Sequence, residues 1–455
     1  MSYLYLPHAK PHARSHRFPW LLFLFVALAL LVIFHWPFSL HTTPDNYNVS
    51  EEITIAGLEG SGAREVMLVA LCGVAIVSLC SRPTDPRLHI DGTMGWLLIA
   101  FVAWALTSTM WAQDPPLTLR RLTSFLILCV FATAVARRLT LREVLLWTFF
   151  TTALFLVIAF ATEMMSGMFQ PLAFGYRFSG IQHPNGEGAE CALLAFSGLV
   201  AGSIEKRRRW LFVSFGLAGT FFLILTASRT TLAGAALAGA VYSFTVSKKN
   251  TRTIILPFVG ILVSLVLLLA IAGTFQGLEQ KLFPGRDEGG GVESFAGRSS
   301  VWVDLVPYIR DRPIQGYGYG GFWTPAVRSV IADKEGWDVP DGHSTYVDYV
   351  LTLGAVGLIL NGLCLAAGLG RAFSSFRRTR DPHFAFLAGI LIFCVVDGFL
   401  ESAAGEVSPL ACLSIIALIR LAFVPLAQPA DSAIETALWQ KSSTRPEPYT
   451  FVHSP

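Results

Sequence analysis

The 455-residue sequence predicts an all-α polytopic membrane protein: about twelve transmembrane helices, with one large outer loop before the last three spans. Two observations predict it. Hydrophobic residues make up 53% of the chain and charged residues only 14%, against roughly 25% charged in an ordinary soluble domain. Mean hydropathy is +0.55. The apolar residues also gather into continuous runs close to the ~20 residues that a helix needs to cross a bilayer. Such runs exclude a soluble globule, a disordered chain and a coiled coil. Because they are continuous rather than alternating, they exclude a membrane β-barrel as well.

Taken in order, the spans fall at 18–38, 63–80, 93–111, 119–136, 142–163, 186–203, 209–226, 229–247, 252–274, 344–370, 382–400 and 407–425. The first follows Lys10, Arg14 and Arg17 and resembles a signal peptide in its charge. Its apolar stretch is too long and no small-x-small cleavage site follows, so an uncleaved first helix is expected. The loops alternate in charge. Lys10, Arg14 and Arg17; Arg82 and Arg87; Arg137, Arg138 and Arg142; Lys206, Arg207, Arg208 and Arg209; Lys248, Lys249 and Arg252; and Arg371, Arg377, Arg378 and Arg380 all fall on one side. These nineteen basic residues make that side cytoplasmic by the positive-inside rule. Both termini, 1–17 and a polar tail at 426–455 expected to be disordered, then lie inside, and the membrane domain comprises 18–274 and 344–425. Residues 275–343 form the large periplasmic loop. A cysteine placed at Ser294 is expected to react with a membrane-impermeant thiol reagent in intact spheroplasts; labelling only after permeabilisation would invert the topology.

Within that loop, 298–310 reads as a short amphipathic helix with Val301, Trp302, Leu305 and Ile309 on one face and a kink at Pro307. GYGYGG at 316–321 reads as a flexible turn, and PGRDEGGG at 284–291 as a mobile tip. Seven cysteines, none in a CxxC pair, give neither a zinc site nor a disulfide framework. The net charge of +3 contains nothing that points to nucleic acid.

The outer loops carry a few isolated ionisable residues instead of clusters: Arg177 and His183 in GYRFSGIQHPN, Arg229 in TASRTT, Arg298 opening the loop helix, and His343 in DGHSTYVDY. An ionisable group near membrane depth is a functional hypothesis by default. Each has a plain alternative. Arg229 suits snorkelling or capping of the preceding helix equally well. Arg177 suits an ion pair with Glu163 or Glu187. Arg298 suits a solvated helix start, although the helix dipole disfavours a cation there. His343 and Tyr346 suit interfacial anchoring, and His183 in HPN suits a turn before a helix. Taken together, guanidinium forks bind phosphate oxygens and an imidazole accepts a proton. That set fits attack of a hydroxyl on a sugar bearing a polyprenyl-diphosphate leaving group. No DxD-like cluster lies on the outer side, Asp287 and Glu288 being an isolated pair, so arginines would neutralise the leaving group in place of a metal.

The ordered set STMWAQDPPLTLRRL, GYRFSGIQHPN, TASRTTLAG, GRSSVWVDLVPYIRDRPIQGYGYGGFW and HSTYVDYVLTLGAVGLIL resembles the O-antigen ligase and polysaccharide polymerase superfamily over residues 107–365. The resemblance implies an inner-membrane glycosyltransferase with a periplasmic active site; no cofactor is expected, and the missing DxD-like cluster makes the expected enzyme metal-independent. It would move a glycan en bloc, with inversion, from undecaprenyl diphosphate to an acceptor hydroxyl. It implies His343 as the catalytic base and Arg177, Arg229 and Arg298 as diphosphate ligands. Tyr346, Tyr317 and His183 would stand on the acceptor side or support the others. Ser344 departs from the Asn commoner after that histidine. The likeness favours a polymerase of exopolysaccharide or O-antigen repeats, with a possible chain-length regulator as partner. The alternatives are a ligase using lipid A–core and, from a different class, a secondary transporter using Asp348 and Asp397 as buried acids.

Overall fold

Turn chemistry between the apolar runs sets where the helices begin. Asp114, Asp381 and Ser408 each accept a hydrogen bond from a first-turn amide, and each is followed at once by Pro, which suits the first helical position because its missing N–H would be unpaired there. Thr140 and Glu143 form a reciprocal capping box. The computed structural model describes residues 20–35, 61–81, 88–90, 92–173, 176–247, 298–337, 339–402 and 407–425. Among them are thirteen α-helices and no strand. They are α1 Trp20–His35, α2 Gly62–Cys80, α3 Gly92–Thr107, α4 Pro115–Arg138, α5 Leu141–Ser166, α6 Pro184–Ile204, α7 Arg209–Leu225, α8 Arg229–Val246, α9 Arg298–Asp311, α10 Pro325–Glu335, α11 Thr345–Thr379, α12 Pro382–Asp397 and α13 Pro409–Phe423.

Eleven of the twelve expected spans coincide with a helix; the other, 252–274, lies outside the described residues, as do the 284–291 tip, the 1–17 segment and the 426–455 tail. Among the described residues, seven helices are long and apolar enough to cross a membrane: α2, α3 with its short 3-10 extension to Met110, α4, α5, α6, α7 with the turn before it, and α11. The apolar helices Leu22–His35, Pro382–Asp397 and Pro409–Phe423 are shorter. The described residues are thus those of a helical membrane protein, while the count of twelve rests on the sequence.

The bundle is built around α6, which is mostly buried, with α7 and α5 against it. The α6–α7 contact depends on glycine. A Cβ on Gly198 would stand 2.7 Å from the Gly216 Cα, so the two backbones meet directly, as close packing of membrane helices requires. One end of the bundle collects basic side chains: Arg137 donates to the Leu79 carbonyl at 3.2 Å, Arg420 to that of Leu139 at 3.1 Å, and Arg142 pairs with Glu205. Arg142 holds the Glu205 carboxyl below the usual range through its hydrogen bond.

At the opposite end, the GYGYGG segment is not a flexible turn. Tyr317 and Tyr319 are buried, and the segment serves as backbone partner to a broken helix. α11 is interrupted at Gly354, whose φ of 67° and ψ of −170° belong to a region that essentially only glycine enters. The break leaves helix carbonyls and amides without their usual partners, which cannot be tolerated inside a bilayer. The loop supplies replacements. The Tyr317 and Gly318 amides donate to the Leu351 and Thr352 carbonyls, both at 2.9 Å, and the Ala355 amide donates to the Pro313 carbonyl at 2.9 Å. A Cβ at Gly354 would run into the Ile314 carbonyl. Gly354→Ala is therefore expected to cost roughly 3 kcal/mol or more, measured as a lowered Tm of the detergent-solubilised protein; an unchanged Tm would refute the docked-loop account.

The amphipathic loop helix is α9, with Val301 and Leu305 fully buried and Trp302 and Ile309 packed beside them. α10 was not foreseen, although Thr324-Pro325 is a cap-and-first-turn pair, and Thr324 does accept from the Val327 amide. α9, α10 and the start of α11 share one small core that includes Phe322 and Trp323.

Candidate functional site

The residues singled out in the sequence arrive at the same end of the bundle from four segments. The strand of chain before α6 brings Arg177. Its Nε donates to the Thr226 carbonyl at 2.8 Å and its Nη2 to Asn185 Oδ1 at 2.7 Å. Asn185 in turn donates from Nδ2 to Glu401 Oε1 at 3.0 Å. The same carboxylate oxygen accepts from Arg298 Nη2 at 2.9 Å. Arg177, Asn185, Glu401 and Arg298 thus form one continuous network, and the Arg298–Glu401 pair is largely shielded, with 12% and 18% side-chain exposure. Arg298 is the first residue of α9, where the dipole disfavours a cation; the Glu401 carboxylate offsets that.

Glu163 has a different task from the one weighed for it. It accepts from the Ser179 and Gly180 amides, both at 2.8 Å, and from the Tyr176 hydroxyl. Burial, followed by that hydrogen bond, raises the Tyr176 phenol far above its ordinary range. These contacts shape the loop that presents Arg177.

Arg229 opens α8, half-buried. The turn beneath it is fixed by Ser228 and Thr231, whose hydroxyls lie 2.8 Å apart, and Thr231 donates to Asp397 Oδ1 at 3.2 Å. Asp397 ends α12, and its carbonyl accepts from the Glu401 amide at 3.0 Å.

His343 sits in the left-handed region with φ 46°, a conformation uncommon for any residue but glycine. Its neighbours impose it. The His343 amide donates to Asp341 Oδ1 at 2.7 Å, the Gly342 amide to Asp348 Oδ1 at 3.1 Å, and Trp302 Nε1 to the Gly342 carbonyl at 2.8 Å. Trp323 Nε1 also donates to Asp348 Oδ1, at 2.8 Å. Asp348 therefore braces the histidine loop. The imidazole stacks on Trp337 at 5.5 Å between centroids, and its Nδ1 lies 3.5 Å from Asp341 Oδ1. Its Nε2 is covered and has no hydrogen-bond partner among the described residues.

The histidine is tied to the arginines through the turn after α12. Ser344 Oγ donates to the Gly398 carbonyl at 3.3 Å, and the Thr345 amide donates to the Glu401 carbonyl at 3.0 Å. The His343 Cα is then within about 8 Å of Thr345, whose partner residue holds Arg298.

The remaining candidates have structural contacts. Tyr317 donates to Asp311 Oδ2 at 2.9 Å and lies under the Arg312 guanidinium; burial, then Asp311, push its phenol up to about 12, so it stays protonated. His183 caps α6, its Nδ1 accepting from the Asn185 amide at 3.2 Å. Tyr346 donates to the Val395 carbonyl at 2.7 Å and packs on Phe399. Tyr346 and Thr345 also line one end of an apolar cavity of about 410 Å³ that extends between α3, α4, α11 and α13 to Phe423. Among the described residues, no group of three or more His, Cys, Asp or Glu side chains is placed to hold a metal ion.

Glu401 and Asn185 were missed in the sequence, and Asp348 and Asp397 were weighed only as transporter acids. The rule that singles out lone arginines at span ends applies equally to lone acids there, and Asp397 and Glu401 stand one helical turn apart at the end of α12.

No curated protein matches the chain. Residues 213–362 match the family model described as O-Antigen ligase. The matched stretch runs from α7 into α11 and contains Arg229, Arg298 and His343, while Arg177, Asn185 and Glu401 lie outside it. The stretch from α7 into α11, which contains the broken helix and the histidine loop, is thus similar to the O-antigen ligase family.

Proposed function

We propose that this protein transfers a glycan en bloc from undecaprenyl diphosphate to an acceptor hydroxyl at the periplasmic face, joining repeat units into an exopolysaccharide or O-antigen. The observation that carries the reading is the Arg177–Asn185–Glu401–Arg298 network, to which the segment after His343 is joined by the hydrogen bond from the Thr345 amide to the Glu401 carbonyl. Two guanidinium groups held in one network suit the two phosphates of a diphosphate. The apolar cavity that starts at Thr345 and Tyr346 offers the polyprenyl tail a path within the bilayer from the same place.

In this reading the acceptor oxygen attacks the anomeric carbon while the carbon–oxygen bond to the diphosphate breaks. His343 Nε2 takes the hydroxyl proton, and the bond pair leaves on undecaprenyl diphosphate, whose added charge the arginines stabilise. Attack opposite the leaving group inverts the anomeric centre. Asp341 beside Nδ1 favours the tautomer with the lone pair on Nε2.

A ligase reading is favoured by the description of the matching family. Purified protein with lipid-linked repeat unit alone tests both. Chain growth supports the polymerase; product only on adding lipid A–core supports the ligase; no transfer under either condition overturns the proposal.

A further inference from the structure

The turn Asp397–Ser402 receives every element of the candidate site: α8 through Thr231 and Asp397, the start of α11 through Gly398 and the Glu401 carbonyl, and both Arg298 and Asn185 at one Glu401 oxygen. An acid next to a diphosphate site should repel its ligand unless it does something else. Here its geometry identifies that task. A carboxylate oxygen shared by a guanidinium and an amide sets the separation of Arg298 from Asn185, and Asn185 Oδ1 fixes one Arg177 nitrogen. We infer that Glu401 is the positioning residue of the diphosphate site, holding Arg298 directly and Arg177 through Asn185. The inference rests on the transferase reading above and adds to it a residue that does not touch substrate.

Long arginine side chains lose considerable freedom when fixed, and donors fixed beforehand need no rearrangement as charge develops on the leaving group. The effect of Glu401 therefore falls on kcat more than on KM. Glu401→Gln keeps an acceptor oxygen for both partners, whereas Glu401→Ala removes it.

The experiment uses full-length wild type, Glu401→Gln, Glu401→Ala, Arg298→Ala and the Arg298→Ala/Glu401→Ala double variant, with purified lipid-linked donor and acceptor and rates normalised to folded protein. Glu401→Ala is expected to lower kcat by ~10- to 100-fold, the range that coupled networks span, with Gln recovering most of the loss. Glu401→Ala should add much less to Arg298→Ala than to wild type. If Glu401→Ala stays within about twofold of wild type, or if its effect multiplies independently with that of Arg298→Ala, the inference is overturned. If Arg298→Ala and Arg177→Ala both leave transfer intact, the diphosphate reading itself fails, which is a separate result from a silent Glu401 beside essential arginines.

Discussion

His343→Ala is expected to abolish polymer formation while lipid-linked donor accumulates, with kcat lower by ~10²–10⁴-fold, the usual cost of removing a general base. The substitution leaves the fold in place. The backbone around His343 is held by Asp341, Asp348 and Trp302, and the ring makes one stacking contact, with Trp337. Alanine enters the left-handed region at φ 46° less readily than histidine does, so some loss of stability is expected. His343→Asn, which tolerates the left-handed region well, separates the two effects: it should restore Tm without restoring activity. Added imidazole should recover part of the rate in the alanine variant, because it supplies the missing base. The competing role is an interfacial anchor. Retention of near-normal transfer by His343→Gln would remove the residue from catalysis.

The helical membrane class was legible because it depends on composition and run length, which no tertiary contact alters; eleven expected spans coincide with helices. The amphipathic face of α9 was legible for the same reason, since its 3.6-residue period survives in isolation. GYGYGG was misread because glycine and tyrosine at a turn look the same whether they face water or replace the hydrogen bonds of a broken helix. Only the Gly354 interruption, about 35 residues further on, distinguishes the two. The arginines and His343 stood out because they are isolated ionisable residues at the ends of apolar runs, on loops that the charge count places outside. Glu401 did not, because phosphate ligands are cations, and an anion that orders them has no signature of its own in the sequence. Asn185 was hidden within HPN, where a turn explains the residue without any reference to Arg177. Tyr317 and His183 show the converse: both lie in suggestive motifs, and both are engaged in local contacts.

Arg177→Lys and Arg298→Lys are expected to lower kcat/KM almost as far as alanine does, by ~10²–10³-fold, the scale of a lost donor to a developing anion. The reason is geometric. Arg177 directs Nε to the Thr226 carbonyl and Nη2 to Asn185, so its orientation depends on two donors at fixed angles. Lysine has one nitrogen, and an ammonium engaged with the Thr226 carbonyl cannot also reach Asn185 and a phosphate oxygen in the planar fork that arginine presents. Arg298→Lys faces a similar conflict, since a single ammonium must serve both the Glu401 carboxylate and the leaving group. Arg142→Lys at the basic end of the bundle is the control: its exposed pair with Glu205 is of the surface kind that contributes little, and activity should stay near that of wild type. Chelator treatment should leave transfer unchanged, because in this reading guanidinium groups carry the charge that a divalent ion would otherwise neutralise. Full activity in either lysine variant would show that point charge alone suffices there, and loss of activity in EDTA with recovery in magnesium would return the leaving group to a metal.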